Sequence, residues 1–164
     1  MFLSTSTMMD AETQLIERGV EAIPVLISLL SGEAKNNFGV PYRELGLPLR
    51  CALEVACRLG PIAKPLEGYL CEAVRGGNAT AATALGSLGT LEKDSVVVLG
   101  AALDSDDYNL SAEAAAALIK AEATRHPAIL EVTSRSIIAA NMLEKISAYI
   151  TANRIKLEGI DTNV

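Results

Sequence analysis

One phrase recurs along this chain with a helical pattern on either side, and it limits the fold more than any other feature. Gly19 is followed five residues later by Pro24, and Gly60 five residues later by Pro65. Ala22 and Ala63 stand three residues after those glycines, and Leu29 and Leu70 stand ten after. Gly89 marks a third break, with Leu99 ten residues on. At a fourth, Glu122 occupies the glycine's place and Pro127 again lies five later. The breaks are 41, 29 and 33 residues apart. A unit of this size with two short helices cannot bury its apolar face alone, so neighbouring copies must stack.

Leu49–Leu70, LRCALEVACRLGPIAKPLEGYL, is the clearest copy. Leu49, Ala52, Leu53, Ala56 and Leu59 fall at helical spacing and form an inner face. Arg50, Glu54 and Arg58 are spaced by four on the outer side. That spacing predicts two ion pairs of about 0.2–0.5 kcal/mol each. Gly60-Pro61 breaks the helix, and a partner helix follows from Pro61 to Val74. The other predicted helices are Asp10–Arg18, Val20–Leu30, Asn78–Leu88, Glu92–Leu103, Ser111–Ala123, Pro127–Ala140 and Met142–Leu157. Asp10 and Ser111 are the expected caps of their helices. Residues 1–9 and 158–164 read as tails around a single domain, 10–157. NATAATALGSL is the weakest helix by intrinsic propensity, so packing must hold it. The whole reads as an all-α chain, a solenoid of about four antiparallel helix pairs.

Composition agrees. Half of the 164 residues are hydrophobic, but only 4% are aromatic and Trp is absent. Ala, Leu and Ile must make the core, which suits closely packed helices better than a β-sandwich. The formal charge of −6 and pI near 4.8 argue against a nucleic-acid backbone or an anionic membrane as partner. Cys51 and Cys57 lie on different faces of one helix and Cys71 on the next. Without a CxxC they read as reduced core thiols. The N-terminus has no basic region followed by an apolar run, and no stretch is long enough to span a membrane, so the expected location is cytoplasmic.

The long connection SGEAKNNFGVPYRELG, residues 31–46, holds Phe38 and Tyr42. Either Phe38, Val40 and Tyr42 plug the open end of the core, the usual fate of loop aromatics, or the segment is a recognition loop. No catalytic motif is present, and neither cofactor nor metal is expected. His126 reads as a helix-terminal residue before Pro127, and Asp104, Asp106 and Asp107 as an inter-helix turn lacking the glycine and distal glutamate of a calcium loop.

LRCALEVACRLGPIAKPL and ALDSDDYNLSAEAAAALIKAE resemble the HEAT-like repeat family of the ARM-type superhelical class. Arg50 stands where that family often has an arginine, whereas Ala79 and Ala112 occupy the matching places later. The resemblance covers about residues 10–140 and implies a right-handed superhelix. It also implies that the second helix of each pair, residues 46–59, 78–88, 109–123 and 142–157, lines a concave surface. Outward positions there include Arg50, Glu54, Arg58, Thr80, Thr83, Ser87, Glu113 and Lys120. The implied function is a non-enzymatic protein-interaction module that takes a protein or peptide, with inhibitors and adaptors as special cases. Other members of the class handle bilins, as phycobilin lyase subunits or chaperones, or bind DNA. The missing Trp and the acidic pI weigh against both. Ile155, Leu157 and Ile160 are apolar beyond what one face needs, so the chain is either a monomer or a homodimer through its last helix.

Overall fold

A computed structural model describes the backbone of residues 5–160, with side chains described for residues 9–154. The described residues form α1 (Thr5–Arg18), α2 (Ile23–Ser31), α3 (Gly46–Leu59), α4 (Glu67–Arg75), α5 (Ala79–Ser87), α6 (Lys93–Leu103), α7 (Tyr108–Lys120), α8 (Pro127–Arg135) and α9 (Ile137–Ile160). Short 3-10 segments cover Gly19–Ala22, Tyr42–Glu44 and Gly60–Leu66, and the β pairing among the described residues is one isolated bridge, Lys35 to Pro41. The chain is all-helical.

The helices pack in two rows. α1, α3, α5, α7 and α9 touch in succession, as do α2, α4, α6 and α8, and each even helix packs against the odd helix that follows it. Leu26, Leu53, Leu70, Leu99, Leu118 and Ile129 are fully buried, with small alanines such as Ala52, Ala82 and Ala115 among them. An aromatic-poor core of this kind lets backbones approach closely. The extreme is the contact of α5 with α7, where a Cβ built on Gly86 would lie 2.7 Å from the Ala117 Cα.

The four break positions share a positive φ. Gly19, Gly60, Gly89 and Glu122 have φ of 57°, 58°, 86° and 54°. After Gly19 and Gly60 the chain makes a 3-10 segment before the α-helix begins. The helices expected from Val20 and Pro61 therefore start later, at Ile23 and Glu67. Proline explains the delay: Pro24 sits in the first turn of α2 and Pro65 inside the 3-10 segment, where the absent N–H costs no α-helical bond.

Glu122 is the non-glycine with positive φ among the described residues. It ends α7 in a Schellman motif: the Ala123 N–H reaches the Leu118 carbonyl at 2.9 Å, and the Glu122 N–H reaches that of Ile119 at 3.1 Å. The end of α4 has the same two bonds, from Asn78 to Ala73 and from Gly77 to Val74, with Gly77 in the left-handed position. A side chain at such a position costs about 1–2 kcal/mol. Glu122→Gly is therefore expected to stabilise the protein by about 1 kcal/mol, a rise of roughly 2–4 °C in Tm by calorimetry. An unchanged or lower Tm would show that the glutamate side chain offsets this strain.

Four expected boundaries are corrected. α1 begins at Thr5 rather than Asp10, so only Met1–Ser4 of the expected tail stay outside the described residues. α7 is capped by Asp107, whose carboxylate accepts the N–H groups of Asn109 at 2.9 Å and Leu110 at 3.1 Å. Ser111 instead turns inward, fully buried, and donates to the Leu103 carbonyl at 2.7 Å. The break between the last two helices falls at Ser136, not near Asn141: Ser136 is extended, donates to the Asp104 carboxylate, and accepts the Ala139 N–H as the cap of α9. α9 in turn runs through Glu158–Ile160, and Asp161–Val164 lie outside the described residues, as do the side chains of Ile155, Leu157 and Ile160.

Candidate functional site

The odd-numbered row carries the candidate surface. α3 presents Arg50 and Arg58 exposed and Glu54 half-buried; α5 presents Thr83 exposed, with Thr80 and Ser87 half-buried; α7 presents Glu113 half-buried and Lys120 exposed. Thr83 and Glu113 meet across the α5–α7 contact, where the Thr83 hydroxyl donates to the Glu113 carboxylate at 2.8 Å. Cys57 of α3 faces the same place, its Sγ 3.9 Å from the Thr80 carbonyl. Burial, helped by Glu54 and Glu113 and opposed by Lys120, pushes the Cys57 thiol up to about 11. Three helices thus meet at one thiol: its own α3, the Thr80 backbone carbonyl of α5, and α7, whose Glu113 and Lys120 act on it. The Ser87 hydroxyl instead donates to the Ala84 carbonyl within its own helix at 2.7 Å.

Two expectations fail here. Arg50, Glu54 and Arg58 form no ion-paired ladder; ion pairs form elsewhere, among them Lys64–Glu67, Lys64–Glu92 and Arg135–Glu131. On a solvated face the Coulomb gain of such pairs hardly exceeds the entropy of holding two long side chains. Phe38 also does not plug the core, since it is 90% exposed. Its turn is closed by its own backbone and by Asn36, which leaves nothing to draw the ring inward. Tyr42 is half-buried, one residue after the bridge at Pro41.

The structure adds residues that sequence reading passed over. Because Asp107 caps α7, Tyr108 becomes its first helical residue, 54% exposed, with the Lys145 ammonium of α9 5.0 Å from its ring centroid. Tyr149, one turn beyond Lys145, is also exposed. The row therefore does carry aromatic side chains at its α7–α9 end. The signal was Asp107 itself, one of several capping candidates in ALDSDDYNLS.

Between the even helices lies a second polar group. The Glu67 carboxylate, nearly buried, accepts from the Ser95 hydroxyl at 2.6 Å, the Glu92 N–H at 2.8 Å and the Lys64 ammonium at 2.7 Å. The Cys71 thiol donates to the Ser95 oxygen at 3.2 Å, and Lys64 also donates to the Thr90 carbonyl at 2.7 Å. Burial raises the Glu67 carboxyl, but the hydrogen bonds from Lys64, Ser95 and Glu92 outweigh it and hold it below its usual range. Glu67 thereby supplies, from α4, the cap that Glu92 does not make for α6. This is a structural joint: no buried side-chain nitrogen or oxygen among its described residues lacks a partner.

His126 caps α8, with Nδ1 accepting the Ala128 N–H at 3.2 Å. Cys51 and Cys71 are buried and unpaired, and burial raises both thiols, Cys51 to about 11 with Glu12 of α1 adding to it. Among the described residues no group of three or more His, Cys, Asp or Glu side chains is placed to hold a metal, and no helix is long and apolar enough to cross a membrane. The chain is thus an all-helical protein of two packed rows with a polar face along one of them. No family model, curated protein or solved structure matches it.

Proposed function

We propose that this chain is a HEAT-like α-solenoid that works as a non-enzymatic protein-interaction module, holding a protein or peptide along the face of α3, α5, α7 and α9. One observation carries the reading: polar side chains from three successive odd helices, Glu54, Thr83 and Glu113 with Lys120, gather on one continuous face. The succession of odd helices and the shared positive φ at Gly19, Gly60, Gly89 and Glu122 support the repeat. A strip of mixed charge on a rigid helical row suits an extended or helical ligand read by side chains. Tyr108 and Tyr149 supply the kind of anchor that concentrates binding energy.

The test is charge reversal on the exposed rim. Arg50→Glu with Arg58→Glu is expected to leave the far-ultraviolet dichroism and the Tm within about 2 °C of the parent, because both side chains are solvated and unpaired. The same variant should lose the stoichiometric partner that the parent, used as bait in lysate of its source, retains after a wash of physiological ionic strength. Equal recovery by both baits would remove the strip from the binding surface. Failure of the parent to retain any stoichiometric partner would remove the function.

A further inference from the structure

The charged side chains of the polar strip differ in what they offer a ligand. Arg50 and Arg58 of α3, Lys120 of α7 and Lys145 of α9 are all exposed. The carboxylates among them, Glu54 and Glu113, are half-buried. Glu113 accepts the Thr83 hydroxyl at 2.8 Å, which engages the donor that α5 would otherwise present. Arg50, Arg58 and Lys120 make no ion pair with either carboxylate. Lys145 stands over the Tyr108 ring, 5.0 Å from its centroid, a contact that steadies the ammonium without giving it an acceptor. Guanidinium and ammonium groups donate and never accept. The strip thus holds out cationic donors with no exposed carboxylate between them. The groups that complement such donors are carboxylates, which accept two bonds from one guanidinium.

The chain's charge of −6 does not oppose this, because its negative charge lies elsewhere. The exposed carboxylates Glu72, Asp94 and Glu131 belong to α4, α6 and α8, the other row. Packed helices lie about 8–10 Å apart, and charges farther off than about 8 Å are largely screened at physiological salt. Glu144 of α9 lines the cleft beside Leu130 and Thr133 of α8, off the strip. In the α6–α7 turn, Asp104 accepts from Ser136 and Asp107 caps α7. The repeat also sets where the strip ends. Two residues before each break stand Glu17, Arg58, Ser87 and Lys120. The cationic places begin at α3, whereas α1 puts an exposed carboxylate, Glu17, at the equivalent position.

We infer that the ligand of this strip is an acidic peptide segment, whose carboxylates pair with Arg50, Arg58, Lys120 and Lys145 from α3 to α9 and which stops short of α1. The inference rests on the proposed function, which puts the ligand on this face, and adds the ligand's chemistry. An acidic protein thereby takes an acidic ligand, because the donors that line one face act at short range and the net charge does not.

Fluorescence anisotropy of dye-labelled deca-glutamate, titrated with the full chain at physiological salt, tests it. The parent should bind the peptide. Arg58→Gln and Lys120→Gln, which each remove one cation from an exposed position, should weaken binding several-fold, and Arg50→Glu with Arg58→Glu roughly tenfold or more. Lys93→Gln makes the same change at an exposed position of α6, in the other row, and should leave binding as it was. Glu17→Lys should tighten it by carrying the cationic face onto α1. A parent that does not bind, or a loss with Lys93→Gln equal to that with Arg58→Gln, would overturn the inference. So would an oligothymidylate that binds as tightly and depends equally on Arg58, since the ligand would then be a nucleic acid. Deca-glutamate should also displace the partner that the parent retains from lysate. A retained partner that deca-glutamate leaves in place overturns the acidic ligand and leaves the interaction module standing. A parent that retains no partner and binds no deca-glutamate removes both.

Discussion

Glu67→Ala is expected to destabilise the protein by about 3 kcal/mol, because it strips three donors of their acceptor at once. Ser95 is left fully enclosed with its hydroxyl bond to the carboxylate gone, the Glu92 N–H at the start of α6 loses its cap, and the Lys64 ammonium loses a partner at 2.7 Å. Only Lys64 is exposed enough for water to compensate well. A fall of this size lowers Tm by roughly 6–12 °C in a domain of this length. Glu67→Gln keeps the acceptor for Ser95 and Glu92 but replaces the oxygen that Lys64 pairs with by an NH2 donor, so about half that loss is expected. Urea unfolding followed by circular dichroism measures both.

The same carboxyl sets an acid limit. Its folded pKa is depressed below its ordinary 4.5, so its contribution is complete above that value and disappears as pH falls through the folded pKa. The parent's stability should therefore drop below about pH 4.5 more steeply than that of Glu67→Gln. Parallel curves for the two proteins would mean that the joint does not depend on the charge of Glu67.

Gly86→Ala is expected to cost about 2–3 kcal/mol even though alanine is the better helix former by about 1 kcal/mol. The new Cβ would lie 2.7 Å from the Ala117 Cα and 2.9 Å from its Cβ, so the clash is with a neighbouring backbone and α5 and α7 must separate. Separation also opens the Thr83–Glu113 bond on the candidate face. Gly100→Ala is the control. Its Cβ would meet the Ile129 Cδ1 at 2.9 Å, the mobile end of a side chain, so that variant should stay within about 1 kcal/mol of the parent. Ala117→Gly should restore part of the loss from Gly86→Ala and none of any loss from Gly100→Ala. Equal effects of the two alanines would show that the α5–α7 approach is not the tight point of the stack.

The local grammar of this chain was legible without coordinates. Glycine and proline spacing located the four breaks, including the one where Glu122 replaces glycine, because each break takes a residue with positive φ whichever side chain occupies it. Apolar periodicity identified the inner faces of α3, α5 and α7, because a 3.6-residue period leaves little freedom over which side is buried. The outward positions Arg50, Thr83 and Lys120 followed from the same periodicity. Capping was less determinate: ALDSDDYNLS holds several acceptors, and only the packing of Ser111 against the Leu103 carbonyl leaves Asp107 as the cap.

Contacts between distant segments belonged to the tertiary structure alone. Glu67 stands 25 residues from Glu92 and 28 from Ser95, and nothing in the local sequence says that its carboxylate caps a helix two elements away. Phe38 followed the same rule in reverse. Its loop carried the marks of a core plug, and whether an aromatic ring is buried depends on what stands opposite it; here the Asn36 turn turns it outward. Periodicity is a property of neighbours along the chain, so sequence alone determined the existence of the helices, the four breaks from Gly19 to Glu122 and the buried faces, but not the break at Ser136 or the exact helix ends. Which face meets which, and therefore where the polar strip, the Glu67 joint and the exposed Phe38 lie, was decided only when the helices packed.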